Sequence, residues 1–228
     1  MIFVILLIGS YLLGSIPFGL IIAKAHGKDL RSIGSGNIGA TNVARALGRK
    51  WAYLCFILDV MKGLLPMLAM QLFNTSIFTA SYDEQAVVFL LWLMIGCAAI
   101  LGHIFPIYLK FKGGKGVATS LGVALGLWPY YTICASFAII IWTAVVLVWR
   151  YVSLASIIAS ISFPLILILA IIITPDWEFV NLWPLLMAAV AIPVMVIVRH
   201  RKNIKRLIEG TESKVLTQAP QILEKQEF

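Results

Sequence analysis

Apolar residues gather into runs at about 2–23, 51–73, 85–101, 130–149, 151–174 and 182–198, and a shorter, weaker run lies at about 116–128. The longer runs approach the roughly 20 residues that a helix needs to cross a bilayer, so each predicts a membrane-spanning α-helix. Between them lie polar stretches of two kinds. Residues 24–50, 102–116 and 199–228 are rich in Lys and Arg, whereas 74–84 and 175–181 contain neither and carry Asp83, Glu84, Asp176 and Glu178.

Short loops with excess Lys and Arg stay on the cytoplasmic side of a membrane. That places 24–50, 102–116, Arg150 and the C-terminal stretch inside, and the two acidic loops outside. The 33 residues from Val117 to Trp149 must then go out and come back. At a rise of about 1.5 Å per residue each half reaches only about 24 Å, short of a hydrocarbon core near 30 Å. One limb is therefore short, and Trp128-Pro129 is the expected turn. The result is an all-α integral membrane protein of seven transmembrane helices, N-terminus outside and C-terminus cytoplasmic, with glycine-rich cytoplasmic loops forming the site. A six-span count would strand Arg150 or the basic tail on the wrong side.

Composition agrees with the pattern. With 61% hydrophobic and 12% charged residues and a mean hydropathy of +0.97, the chain cannot hide its apolar surface in one soluble core. The first run has no basic residue ahead of it, and Lys24 and Lys28 follow it, which predicts a retained span rather than a cleaved signal peptide. Cys55, Cys97 and Cys134 lie inside apolar runs without metal-ligand spacing, so neither disulfide nor metal is expected. The net charge of +8 belongs to the membrane topology, and no nucleic-acid partner is implied. Asp59 and Lys62 sit i and i+3 on one face of the second span, where they can pair and orient the helix toward the bundle. Residues 1–212 read as one membrane domain, and 213–228 as part of a polar, solvated tail that starts after Gly210.

The chemistry concentrates in Gly34-Ser35-Gly36-Asn37-Ile38-Gly39-Ala40-Thr41-Asn42, followed by Arg45. Glycines let backbone N–H groups converge, Ser35, Asn37, Thr41 and Asn42 add neutral donors, and Arg45 adds a planar charged fork, a combination suited to phosphate oxygens. The letters also fit G-x-G-x-x-G, but no buried strand precedes them and a membrane-length run follows, so a dinucleotide fold is not expected. A second stretch, Gly102-His103 through Lys112-Gly113-Gly114-Lys115-Gly116, pairs glycines with cations without Walker spacing. Lys110 also fits a lysine meeting acidic headgroups. In the third stretch His200 and Asn203 share a face if the last span continues as a helix. Ser153 and Ser156, just after Arg150, lie at the same surface. Three such segments converging on one face are more specific than any alone.

These residues carry a resemblance. Gly14-Ser15-Ile16-Pro17-Phe18-Gly19, Ser35 through Arg45, Gly102-His103 with Lys112 to Gly116, and His200-x-x-Asn203-Ile204-x-Arg206-Leu207 resemble the PlsY family, the bacterial acyl-phosphate:glycerol-3-phosphate acyltransferases. The resemblance runs from about residue 1 to Glu212. It implies transfer of a fatty acyl group from acyl phosphate to the 1-hydroxyl of glycerol 3-phosphate at the inner membrane, with no cofactor and no metal. By motif, Arg45, Lys115, His200, Asn203 and Ser153 would hold glycerol phosphate, while Ser35, Asn37, Thr41 and neighbouring amides would hold acyl phosphate. Gly36, Gly39, Asn42, Lys112, Gly113 and Gly114 complete the expected substrate-binding set, and His103 either touches a phosphate or caps the loop. A small anion transporter would also need interfacial cations and glycine-broken helices. Against it, Lys62 is the one basic residue within the apolar runs, and the other cations share one side.

Overall fold

A computed structural model describes residues 2–73 and 84–215, and among these every regular element is helical. In chain order the α-helices are α1 (Ile2–Gly14), α2 (Phe18–Ala25), α3 (Ala40–Leu47), α4 (Arg49–Phe73), α5 (Gln85–Ile104), α6 (Val117–Gly126), α7 (Tyr130–Trp149), α8 (Val152–Ile173), α9 (Phe179–Arg199) and α10 (Arg201–Ile208), with one 3-10 turn at Ile107–Leu109 between α5 and α6. Helices α4, α5, α7, α8 and α9 are long and apolar enough to cross a membrane. Asp83, expected on an outside loop, lies outside the described residues, as does the tail from 216 onward.

The first apolar run is not one straight helix, as its composition had implied. It bends by 40° between α1 and α2, because Pro17 has no N–H to continue the ladder. A broken helix inside a membrane frees carbonyls that must find donors. Ser15 Oγ donates to Tyr11 O at 2.8 Å, and Lys62 Nζ reaches across from α4 to Ile16 O at 3.0 Å. The same ammonium lies 2.7 Å from Asp59 Oδ1, so the intramembrane pair predicted on α4 both neutralises itself and stitches the break.

Glycine sets the closest helix contacts. Lipid tails are as apolar as Leu, so membrane helices associate by close backbone approach at small residues. A methyl group on Gly63 of α4 would collide with the Thr119 carbonyl of α6, and one on Gly122 with the Val60 carbonyl of α4; at Gly126 it would strike the Met67 side chain. Helices α1 and α5 cross in the same way, Gly14 against the backbone of Ala99 and Gly102 against that of Tyr11, with Ser10 Oγ donating to Ile95 O at 2.7 Å. The Gly122/Gly126 spacing is that of G-x-x-x-G.

Helix α6 has 10 residues, about 15 Å at 1.5 Å each, and α7 has 20, so the two helices joined by the turn at Trp128-Pro129 are unequal. Large side chains fill the centre: Trp92, Leu127, Tyr131, Leu167, Leu182 and Leu185 are fully buried. Trp92 Nε1 donates to Met67 O and Tyr131 Oη to Leu185 O, which gives each polar tip a partner. Leu147, Val148, Leu165, Ile172 and Ile173 stay exposed, the apolar outer surface of a membrane protein.

Candidate active site

The glycine loop holds its shape through Asn42. This side chain, 1% exposed, donates from Nδ2 to Leu30 O, Ile33 O and Asn37 O at 2.9–3.0 Å, and its Oδ1 accepts the Ser35 amide at 3.1 Å. Expected as a substrate donor, Asn42 instead has both amide atoms committed to the loop. Asn37 Oδ1 accepts the Gly39 amide at 3.0 Å and Ser35 Oγ faces the Asn37 amide at 3.4 Å. Gly34 and Gly36 adopt φ of 56° and 66°, where glycine has no Cβ penalty, and a Cβ at Gly34 would press on Asn42 Oδ1 and the Arg45 side chain. Gly39 precedes α3 with extended backbone. Ser35, Thr41 and Arg45 are left exposed at the loop's open side.

The second segment begins inside the membrane helix, since α5 carries Gly102 and His103 in its last turn. His103 is 5% exposed, with Nδ1 3.6 Å from Asp59 Oδ1, and a side chain on Gly114 would strike its Nε2. The His103 ring is buried and lies against Gly114. The chain then folds over it, with Gly113 N donating to Ile104 O and Gly114 N to His103 O, both at 3.1 Å. Arg199 fixes the loop from the other side, donating to Gly114 O at 2.8 Å and Gly113 O at 3.3 Å. Gly116, φ 85°, turns the chain into α6.

The third segment departs from the continuous helix expected past Arg199. The chain breaks at His200, between α9 and α10, where Nδ1 lies 2.8 Å from Val196 O. A ring nitrogen facing a carbonyl must carry the proton, so Nε2 is the acceptor of the neutral ring. Burial, then the Lys115 charge, push His200 down to about 4.

Across this break a polar network closes. Lys115 Nζ donates to Asn203 Oδ1 at 2.7 Å; Asn203 Nδ2 donates to Glu212 Oε1 at 2.6 Å, as does Ser153 Oγ at 2.7 Å; and Arg206 Nε pairs with Glu212 Oε2 at 2.6 Å. Lys115, Asn203 and Ser153, expected together, are joined, with His200 beside them. Burial brings Lys115 down to about 8 against the raising influence of Glu212, and the charges of Arg206, Arg45 and Arg199 add to the depression. Burial works to raise the Glu212 carboxyl, but the hydrogen bonds from Asn203, Arg206 and Ser153 hold it below the usual carboxylate value.

Glu212 is the residue sequence reasoning missed. The chain after Gly210 had been read as solvated, yet Gly210 turns at φ 70°, Glu212 is 8% exposed, and Val215 N donates to Arg150 O at 2.7 Å. Two acids just beyond a cationic helix, Glu209 and Glu212, were the available signal. Ser156, the other serine considered, bonds Val152 O on its own helix and accepts from Trp142 Nε1 at 3.3 Å.

The model of one protein family, described as glycerol-3-phosphate acyltransferase, matches residues 4–210. Curated relatives of that name include one from Geotalea daltonii, 45% identical over 92% of this chain and 96% of its own, and one from Aquifex aeolicus, 44% identical over 91% and 96%. A crystal structure of PlsY, an integral membrane glycerol 3-phosphate acyltransferase in its glycerol 3-phosphate form, superposes with a TM-score of 0.78 at 42% identity, covering 94% of this chain and 96% of that one. Its lysophosphatidic acid form gives 0.75 at 41%, covering 94% and 95%. On this likeness, extending over nearly the whole length of each partner, the chain belongs to the glycerol-3-phosphate acyltransferase family.

Proposed function

We propose that this acyltransferase moves a fatty acyl group from acyl phosphate to the 1-hydroxyl of glycerol 3-phosphate, releasing lysophosphatidic acid and phosphate. The observation that carries the reading is the Lys115–Asn203–Glu212–Arg206 network with Ser153 and neutral His200 beside it. It is a preorganised cationic, hydrogen-bonding cluster next to two glycine loops, as an acceptor with a phosphate at one end and a hydroxyl at the other requires. Lys115 and Arg45 take the acceptor's phosphate, Asn203 and Ser153 orient it, and His200 Nε2 accepts a hydrogen bond from a glycerol hydroxyl. Ser35, Asn37, Thr41 and amides near Gly36 and Gly39 face the acyl phosphate; Asn42 holds that loop, His103 backs the second one, and Lys112, Gly113 and Gly114 border both substrates.

The hydroxyl attacks the acyl carbonyl directly. Acyl phosphate is already an activated anhydride, and positioning supplies roughly 7–11 kcal/mol without a covalent relay. The acceptor's own phosphate, with a second pKa of about 6, takes the hydroxyl proton directly or through water. Purified protein given acyl phosphate and glycerol 3-phosphate should release phosphate, and acyl-CoA serves as the comparison donor; turnover with acyl-CoA alone would refute the donor assignment.

Seven crossings in a bacterial inner membrane accompany this reading, with α1–α2 as one bent span, α6 the short limb, the N-terminus outside, and the site and C-terminus cytoplasmic. The basic loops and the acidic Asp176 loop support it. In a chain without Cys55, Cys97 and Cys134, an impermeant thiol reagent should label Asp176→Cys in intact cells and spare Arg150→Cys. Labelling at position 150 would reverse the topology.

A further inference from the structure

Asp59, Lys62 and His103 are buried together among the membrane helices, and the transfer chemistry above draws on none of their charges. An ion pair so placed loses its hydration, and apolar residues of similar size often serve a fold as well or better. Lys62 has a structural task, holding the Ile16 carbonyl where α1 breaks from α2. Asp59 neutralises it at 2.7 Å. Neither task accounts for the imidazole: Asp59 Oδ1 also lies 3.6 Å from His103 Nδ1, and that buried nitrogen has no hydrogen-bond partner among the described residues.

The carboxylate fixes which ring nitrogen carries the proton. Lys62 already neutralises Asp59, so the ring stays neutral, and Nδ1, which faces the anion, is the protonated nitrogen. Nε2 is left bare. Held on one side by Asp59, the ring meets Gly114 with the other: a side chain on Gly114 would strike Nε2. Gly114 N donates to His103 O at 3.1 Å, and Gly114 O accepts from Arg199 Nη2 at 2.8 Å. Ring, helix end and guanidinium thus close on one residue from three directions, and the next residue is Lys115, whose ammonium reaches Asn203 Oδ1 at 2.7 Å.

We propose that Asp59 is a positioning residue for the acyl transfer: its carboxylate, held by Lys62, orients the His103 ring against Gly114 and so sets where Lys115 presents its charge. Asp59 itself touches no substrate. The assignment rests on the reading above in which Lys115 takes the acceptor's phosphate. Each link is short and rigid, since Asp59 and Lys62 pair at i and i+3 on one helix and His103 and Gly114 share both a ring contact and a backbone hydrogen bond. A misplacement of about 1 Å far from the chemistry can cost about a hundredfold in rate. A pair that only oriented α4 would leave His103 indifferent to the charge at position 59.

Asp59→Asn keeps the size of the side chain and removes its charge, His103→Leu removes the ring, and a third variant combines the two. With thermal unfolding scans to establish the folded fraction, each single variant should raise the KM for glycerol 3-phosphate about five- to tenfold. The KM for acyl phosphate should move less than about twofold. Because Asp59 acts through His103, the double variant should be no worse than His103→Leu alone. Effects that multiply, equal rises in both KM values, or a lower folded yield with both KM values unchanged overturn the assignment, the last because it leaves Asp59 a purely structural role. Should Asp59→Asn not fold, nitrogen NMR of wild-type protein labelled at its histidine rings decides: the ring whose signals vanish in His103→Leu must carry its proton on Nδ1, and a proton on Nε2 overturns the proposal. An unchanged KM for glycerol 3-phosphate in Lys115→Gln would instead bring down the acceptor reading on which the assignment rests.

Discussion

Glu212→Ala should cost this protein both stability and acceptor affinity. The carboxylate accepts from Asn203 Nδ2, Ser153 Oγ and Arg206 Nε at 2.6–2.7 Å, and Asn203 and Ser153 are themselves buried. Hydrogen bonds to a charged group contribute about 1.5–3 kcal/mol each, but members of one network are not additive. The Arg206 side chain is a third exposed, so solvent screens its share. A loss of about 3–5 kcal/mol follows, the range for breaking a buried pair by removing one partner. For a chain of this size that is a fall of about 10 °C in Tm. Glu212→Gln keeps an acceptor for Asn203 and Ser153 and gives up the charge, so it should recover about half.

The effect should not stop at stability. Asn203 Oδ1 receives the Lys115 ammonium because Glu212 fixes the other end of the same amide; once released, the amide can rotate and Lys115 loses its orientation. The KM for glycerol 3-phosphate should rise in Glu212→Ala more than in Glu212→Gln. The pH dependence has a set sign. The folded carboxyl sits below its ordinary 4.5, so its contribution is fully present above that value and fades as the pH falls through the folded one. Thermal unfolding in detergent, read by tryptophan fluorescence, together with steady-state kinetics tests all of this. A Glu212→Ala protein within about 2 °C of wild type and with an unchanged KM would refute the reasoning.

Lys115 should lose its proton as the pH rises through about 8, so kcat/KM for glycerol 3-phosphate should fall above that pH, and Lys115→Arg should remove the decline whatever it does to the maximum. Between about 8 and 10.5 the unfolded chain holds a proton the folded chain has released, so stability should rise over the same interval; a flat profile to pH 10 would contradict the burial assigned to this lysine. Gly122→Ile should prevent α4 and α6 from closing and lower yield and Tm sharply, because its side chain would meet the Val60 carbonyl, whereas Gly9→Ile, at a position with open space, should change Tm by less than about 2 °C. Ser35→Ala should lower kcat/KM about ten- to a hundredfold through lost orientation, and mass spectrometry of wild-type protein given acyl phosphate alone should find no acyl-serine.

What the sequence made legible follows from what each signal depends on. Spans and basic loops are one-dimensional: hydropathy over a window and the side on which Lys and Arg fall. The glycine loops were visible for a similar reason, since Gly34, Gly36 and Gly116 answer to local backbone geometry. The bend between α1 and α2 was less so. Pro17 marks it, but that the break is tolerated in the membrane depends on Lys62, 46 positions away, reaching the Ile16 carbonyl.

The site's polar partners were the least legible, because the same side chain serves opposite ends depending on where its neighbours fold. Asn42 and Asn203 are both Asn at a helix near a cationic loop. One spends its amide closing its own loop; the other spans a lysine and a glutamate from distant segments. His103 and His200 part in the same way, one enclosed beside Asp59 and Gly114, the other at a helix break with Nδ1 held by Val196 and Nε2 left as an acceptor. Glu212 was hidden by its company. In a stretch dominated by Lys and Arg its two acids, Glu209 and Glu212, both read as solvated, and Glu209 is, on its exposed Lys205 pair. Glu212 instead neutralises Arg206, fixes Asn203 and leaves Lys115 its charge for a substrate phosphate. Cation-rich sites that must stay folded while empty need an internal anion, so the acid closest to a cluster of inward-facing cations is the first residue to test for burial.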